Sequence, residues 1–438
     1  MRCCSSRRAQ EALASLVVLA AASLTAAQDV VVTPLHSDGI YQVGQKIQWT
    51  IELRGPAAAN LKRADYVLKR GGLTVFNKGS ADVSDGKCVV ETSLDQPGSV
   101  LGEIKFDASG KPVTARFGAV VDPERIERSA PAPEDFDAFW AAKITELNAI
   151  PINPEIEPAD GGKAEVEYFK IKMDNIQGSH IYGQLAKPKH EGKFPVILLV
   201  QYAGVYGLPK NNVVNRAAQG WIALNIMAHD LPFDQPEDFY KKASGTTLKD
   251  YISIGADNRD TSYFLRMYLA CYRAVDYLSQ RPDWEGKTLI VMGTSQGGQQ
   301  AIITAGIQPK ITAMLANVPA GCDVTGPKVG RAAGFPYWAN TAQWKKNDKI
   351  LETGRYFDGV NFASHIHCPA LVATGLIDET CPPAGVLTAF NQMTGPKEVL
   401  VMVNSNHHGN NNAQAGYFKR SEQWLAALVK GEPVPPPK

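Results

Sequence analysis

The chain has almost no net charge, with 45 lysines and arginines against 44 aspartates and glutamates among its 438 residues. So even a balance excludes capture of nucleic acid, or of a strongly anionic substrate, by bulk positive field. Cysteine is scarce: Cys3 and Cys4 sit at the extreme N-terminus, and Cys88, Cys271, Cys322, Cys368 and Cys381 follow. An odd and widely spaced set is no disulfide framework, although one bridge remains open. No CxxC or HExxH spacing occurs, so no metal and no cofactor is expected. His365 and His367 have H-x-H spacing but no third ligand, which favours a solvated strand entry. Beyond the N-terminus, apolar runs such as "FPVILLV" (194–200) are strand-sized and fall short of a bilayer span.

The N-terminus differs. "MRCCSSRR" is positively charged, residues 13–26 are apolar, and Thr25-Ala26-Ala27 are small residues suited to cleavage. This pattern predicts a signal peptide over 1–27, removed after about Ala27, and hence a periplasmic or secreted protein with no membrane contact after cleavage. A retained anchor is the alternative.

Residues 30–121 read as a small β-sandwich of immunoglobulin-like kind. "KIQWTIEL" (46–53) alternates apolar and polar residues, and Gly71-Gly72 separates two short apolar runs in a hairpin signal. The proline-rich, charged stretch 122–133 reads as a linker. A helix then opens near Asp135, with Phe136, Phe139, Trp140 and Ile144 on its apolar face. From about residue 165, near-continuous apolar strands alternate with helical segments. Such a pattern, over a domain assigned to 134–432, indicates an α/β class with a mostly parallel sheet covered on both faces.

Within that domain, "VMGTSQGGQQ" (291–300) places one serine among glycines between an apolar strand and a helix. Gly293-Thr294-Ser295-Gln296-Gly297 fits G-x-S-x-G, a turn so sharp that small residues must flank the serine. The turn lifts the Ser295 hydroxyl to the carboxyl end of the sheet, beside the N–H groups of a helix N-terminus. A serine nucleophile needs a base and an orienting carboxylate, which in this architecture follow it in the order acid, then histidine. Asp378 ends the strand "ALVATGLID", and His407 follows the strand "EVLVMV". Glu379 and His408 are their nearest competitors. A helix cap for Asp378 and a polar surface loop for the histidines are the ordinary alternatives.

The extended patterns "GTSQGGQQA", "NVPAGCD" and "GLIDETCPP", with "APAPEDFDAFWAAKITEL" at the domain start, resemble the acetyl xylan esterase/cephalosporin C deacetylase family. The likeness spans about 130–430. It implies an α/β-hydrolase fold preceded by the small all-β domain, and de-O-acetylation of sugars through an acyl-serine. Ser295 would attack, His407 would take the proton and Asp378 would hold the imidazole. The oxyanion would be held by the N–H of Gln296 and, from the loop after "VILLVQ", by that of Val205, with Tyr206 as rival. Two departures mark a divergent branch. The family's Arg-Gly-Gln is here Ala228-His229-Asp230, and the usual His-Glu at the catalytic histidine is here His407-His408; in the oxyanion loop, the usual His-Gly-Tyr is here Ala203-Gly204-Val205. Tyr206, His229 and Trp338 are the candidate substrate contacts, from position alone, and residues 230–264 a candidate pocket wall or subunit contact. The expected partner is an acetylated carbohydrate, with homo-oligomers common in the family.

Two other functions fit parts of the pattern. A prolyl-oligopeptidase-like peptidase also joins a β-domain to this core, but about 90 residues without repeats cannot build the usual large propeller. A non-catalytic glycan-binding protein with a vestigial hydrolase core would not need three catalytic residues in order.

Overall fold

The computed structural model describes residues 30–55, 61–108 and 111–436; the expected signal peptide lies outside them. The first eight strands are β1 (Val30–Pro34), β2 (Ile40–Tyr41), β3 (Ile47–Leu53), β4 (Arg63–Arg70), β5 (Thr74–Asp82), β6 (Lys87–Thr92), β7 (Gly98–Ala108) and β8 (Lys111–Val121). They form two sheets, ordered β1-β3-β6 and β2-β8-β7-β4-β5. Ile47, Trp49, Ile51 and Leu53 of β3 are buried and the residues between them only half-buried, the period of two that puts one face on a core. That core also takes Tyr41, Phe106 and Phe117.

Helix α1 (Phe136–Asn148) follows the linker. Asp135 precedes it but does not cap it; its carboxylate instead accepts from Arg259 at 2.6 Å and from the Tyr356 hydroxyl.

Next come β9 (Glu155–Ala159), β10 (Val166–Asp174), β11 (His180–Pro188), β12 (Phe194–Val200), α2 (Asn211–Ala218), β13 (Ile222–Ile226), α3 (Glu237–Gly245), α4 (Tyr263–Ser279), β14 (Trp284–Thr294), α5 (Gln296–Ile307) and β15 (Ala313–Asn317). The chain closes with α6 (Trp338–Lys345), α7 (Lys349–Gly354), α8 (Gly359–Ala363), β16 (Ala370–Gly375), α9 (Pro383–Gln392), β17 (Lys397–Met402) and α10 (Ala415–Leu428). The strands from β9 on make one sheet of nine, ordered β17-β16-β15-β14-β12-β13-β11-β10-β9. From β13 to β17 neighbours run parallel, while β11, β10 and β9 add antiparallel pairs. Helices α2 and α10 cover one face through Val213, Ala217, Tyr417 and Trp424. On the other, Ala274 and Val275 of α4, Ile302 of α5 and Val386 of α9 pack on Leu198, Val291 and Val372. Coverage on both faces explains why these strands are apolar throughout. Among the described residues no helix is long and apolar enough to cross a membrane.

The two parts are joined by packing as well as by chain. Val120 and Ile126 are buried with Leu376 and Leu387, against Ile40 and against Val399 and Val401 of β17. Gly118 lies so close that a Cβ there would sit 2.3 Å from the Leu376 carbonyl oxygen. Arg116 pairs with Glu379 at 2.6 Å, and Ala332 N–H donates to the Gly71 carbonyl at 2.8 Å.

Candidate active site

The turn from β14 into α5 holds Ser295 at φ 58° and ψ −121°, a left-handed conformation that a side chain adopts only under constraint. The constraint is close packing. A Cβ on Gly293 would lie 2.3 Å from the Gly297 carbonyl, and one on Gly297 would lie 2.6 Å from the Val200 carbonyl oxygen. Glycine at both positions lets α5 start directly above β12 and β14. Ser295 N–H donates to Asn317 O at 2.9 Å, which ties the turn to β15.

Three loops bring their side chains to this point. Ser295 Oγ is 2.9 Å from His407 Nε2, and His407 Nδ1 is 2.8 Å from Asp378 Oδ2. A carboxylate only accepts, so Nδ1 carries the proton and Nε2 presents its lone pair to the serine hydroxyl. The other Asp378 oxygen accepts from the backbone N–H groups of Thr380 and Cys381, both at 2.8 Å. These bonds fix the carboxylate in place. Glu379 turns away to Arg116, and His408 packs edge-on to the His407 ring. The structure therefore brings Ser295, His407 and Asp378 together and leaves both competitors outside the relay.

Gln296 begins α5, where a first-turn N–H has no intrahelical partner. Its side chain is fully buried and accepts from the Tyr251 hydroxyl at 2.6 Å. Facing it, the loop after β12 is tightly held. Gln201 spans it, donating to Tyr206 O at 2.9 Å and accepting from Ala228 N–H at 3.0 Å. Gly204 N–H meets the Tyr251 hydroxyl at 3.4 Å, and His229 Nε2 meets Gly204 O at 2.9 Å.

Two of the candidate substrate contacts need correction. His229 is 2% exposed and cannot meet a substrate. Since the Gly204 carbonyl only accepts, Nε2 carries its proton and Nδ1 accepts from Tyr263 OH at 2.7 Å. Burial pushes the His229 pKa down to about 4, consistent with this neutral tautomer. Gripping Gly204 O also sets the direction of the next N–H, that of Val205, because the peptide between them is planar and trans. His229 is thus a support behind the loop. Trp338 is equally removed: it is 3% exposed, donates to Ile252 O at 3.3 Å and packs on Phe264 and Phe357. Tyr206 is half-buried, stacked on Tyr202 and bonded through its hydroxyl to Tyr202 O at 3.2 Å. The Val205 side chain packs inward, so only its backbone is at issue.

Tyr251 and Tyr263 were not singled out by sequence. Both come from the stretch ending at α4, and no short motif marks them. The polar triplet Ala228-His229-Asp230, standing where the family has Arg-Gly-Gln, was the one available sign of a rebuilt support.

Among the described residues, Asp378, Cys381 and His407 form the only trio with metal-ligand atoms within 4.8 Å of one another. Asp378 and His407 are committed to the relay, and a metal there would compete with the serine contact. A cleft of about 1050 Å³ between the β-sandwich, the linker and residues 329–331 is lined by neither Ser295 nor His407.

A nine-stranded sheet with a serine elbow and a Ser-His-Asp contact series at its carboxyl edge defines an α/β-hydrolase. The acetyl xylan esterase (AXE1) family profile matches residues 124–427. The acetyl esterase Axe7A of Xylanibacter ruminicola is 30% identical over 382 residues, 85% of each chain. Two solved structures share the fold. The acetyl xylan esterase of Paenibacillus sp. R4 is 24% identical, with a TM-score of 0.59 over 71% of this chain and 98% of that one. Acetyl xylan esterase 1 of Thermoanaerobacterium sp. JW/SL YS485 is 23% identical, with a TM-score of 0.60 over 70% and 97%. The chain belongs to the acetyl xylan esterase family and is a carboxylic ester hydrolase of the carbohydrate esterase kind.

Proposed function

We propose that this protein is an exported serine esterase that removes acetyl groups from acetylated xylan or xylo-oligosaccharides. The observation that carries the reading is the unbroken series from Ser295 Oγ through His407 to Asp378, at 2.9 and 2.8 Å. Ser295 Oγ bonds to the acetyl carbonyl carbon as its proton passes to His407 Nε2. Asp378 keeps the imidazole oriented and stabilises the imidazolium. The carbonyl oxygen becomes an oxyanion between the N–H groups of Gln296 and Val205, each such donor lowering the barrier by about 3 kcal/mol. The carbon–oxygen bond to the sugar then breaks, and His407 returns the proton to the leaving sugar oxygen. Water repeats the sequence on the acyl-serine, releasing acetate and restoring the Ser295 hydroxyl.

The family profile and the Axe7A relative support acetate as the acyl group and xylan as its carrier. The charged, apolar and small-residue order of residues 1–27 supports export. Acetate release from acetylated xylo-oligosaccharides and from p-nitrophenyl acetate tests the reading. Turnover of both, lost in Ser295→Ala together with fluorophosphonate labelling, is the expected result; no acetate from either substrate refutes it. N-terminal sequencing of exported protein should begin near Gln28.

A further inference from the structure

A groove of about 600 Å³ opens on the α2/α10 face of the sheet and reaches the rim at Gly293 and Thr294, immediately before Ser295. Its volume lies in the range of ligand sites. At the rim end stands Tyr202, 55% exposed, its ring 4.7 Å from that of Tyr206 at an interplanar angle of 28°. Tyr206 is itself held by its bond to Tyr202 O. One ring face of Tyr202 is thus backed by Tyr206 while its other side stays open to solvent at the mouth of the groove, a rigid platform on which a second ring can stack.

The wall is unusual for a helix. Helix α2 spans eight residues, and three of them, Asn211, Asn212 and Asn215, are exposed asparagines lining the groove. Asn211 and Asn212 stand in the first turn, and Asn215 further in, where asparagine weakens a helix by about 0.6 kcal/mol relative to alanine. Three amides within five residues give the groove a polar wall. The amides are also arranged in complementary senses. Asn212 donates to Asn225 at 3.1 Å, leaving its carbonyl oxygen to accept. Asn215 accepts from Lys163 at 3.2 Å, leaving its NH₂ to donate. A sugar hydroxyl does both. The two charges in the groove cancel, because Arg216 of α2 forms a two-pronged pair with Glu422 of α10 at 2.6 and 2.9 Å. The groove is therefore polar but uncharged, and suits a neutral ligand.

We propose that this groove binds the unacetylated stretch of a neutral xylo-oligosaccharide chain, with one pyranose ring stacked on Tyr202 and hydroxyls met by the α2 asparagines. The inference rests on the esterase reading for its substrate class, but its test does not depend on turnover. Unacetylated xylotetraose is titrated by calorimetry into full-length Ser295→Ala. Saturable binding is expected, weakened about 10-fold by a further Tyr202→Ala change, the scale of one aromatic contact. Tyr202→Phe keeps the ring and should bind as the parent does. Trp344→Ala, which removes an aromatic 80% exposed on α6, should change nothing. Absence of binding at 10-millimolar-order ligand (~10 mM, well above the weakest useful affinity), or binding that Tyr202→Ala leaves intact, overturns the groove. Acetate release by the wild type is scored separately, so loss of binding with turnover retained refutes the groove alone, and binding without turnover refutes the esterase reading alone.

Discussion

The two halves of the molecule solve different problems. In the nine-stranded half, the central strands are buried on both faces, and the reactive side chains stand on loops at their carboxyl ends. In the sandwich, β3 alternates, one face buries a core, and none of the candidate catalytic residues is found there. The family profile begins at residue 124, just after β8, so it describes the first half's chemistry without the second. Yet the sandwich presses on the loop that carries Asp378, the candidate catalytic acid. Gly118 abuts the Leu376 carbonyl, and Val120 is buried with Leu376, two residues before Asp378. Each such side chain taken from water is worth about 1.5–3 kcal/mol. The sandwich thus packs against the loop that carries the candidate acid.

Ser295→Ala gives the sharpest division between the halves. We expect kcat to fall by ~10⁶-fold, as when other serine nucleophiles are removed, with the unfolding midpoint little changed. A large stability change would mean that the elbow's strain is shared with the rest of the fold.

The next effect is one of pH and lies wholly in the catalytic half. His229 is neutral when folded, with its pKa lowered from 6.5 to about 4. The unfolded chain therefore binds more protons between these values, and stability rises with pH across that window. This contribution, about 3 kcal/mol, is present above pH 6.5 and is lost as the pH falls towards 4. Thermal unfolding of the wild type should drop steeply over this range, and that of His229→Asn should be flatter. Equal slopes would remove the buried neutral imidazole from the account.

Gly118→Val asks whether the sandwich acts on the site. The new side chain must displace the Leu376 backbone at a cost of about 1–3 kcal/mol. Because Asp378 follows on the same loop, kcat for p-nitrophenyl acetate should fall by about 10-fold, equivalent to some 1.4 kcal/mol of barrier, with KM nearly constant. Lowered stability with unchanged kcat would make the sandwich a scaffold only.

What the sequence revealed follows the same division. The apolar strands, the G-x-S-x-G turn, Asp378 and His407 were legible because each depends on a local pattern that one architecture requires. Trp338 and His229 were misread because position after a strand or loop says nothing about which way a side chain turns. Trp338 turned into the core, and His229 turned behind the oxyanion loop. Tyr251 was invisible, since its bond to Gln296 crosses 45 residues of chain with no motif to mark it. Nothing in the sequence marks Gly118; its need appears only when Leu376 arrives from the other half.

The smallest effect discriminates between two ways of holding the halves together. Arg116 and Glu379 meet at 2.6 Å across the junction, but their side chains are 41% and 48% exposed. Water and salt screen such a pair, and exposed ion pairs contribute about 0–1 kcal/mol. A double-mutant cycle with Arg116→Ala and Glu379→Ala should therefore give a coupling under about 1 kcal/mol that fades with added salt, and kcat should stay within about twofold of wild type. Packing at Gly118 and Val120 would then be the tie that matters to the acid loop. A larger, salt-insensitive coupling accompanied by a fall in kcat would reverse that order and make charge the means by which the sandwich positions Asp378.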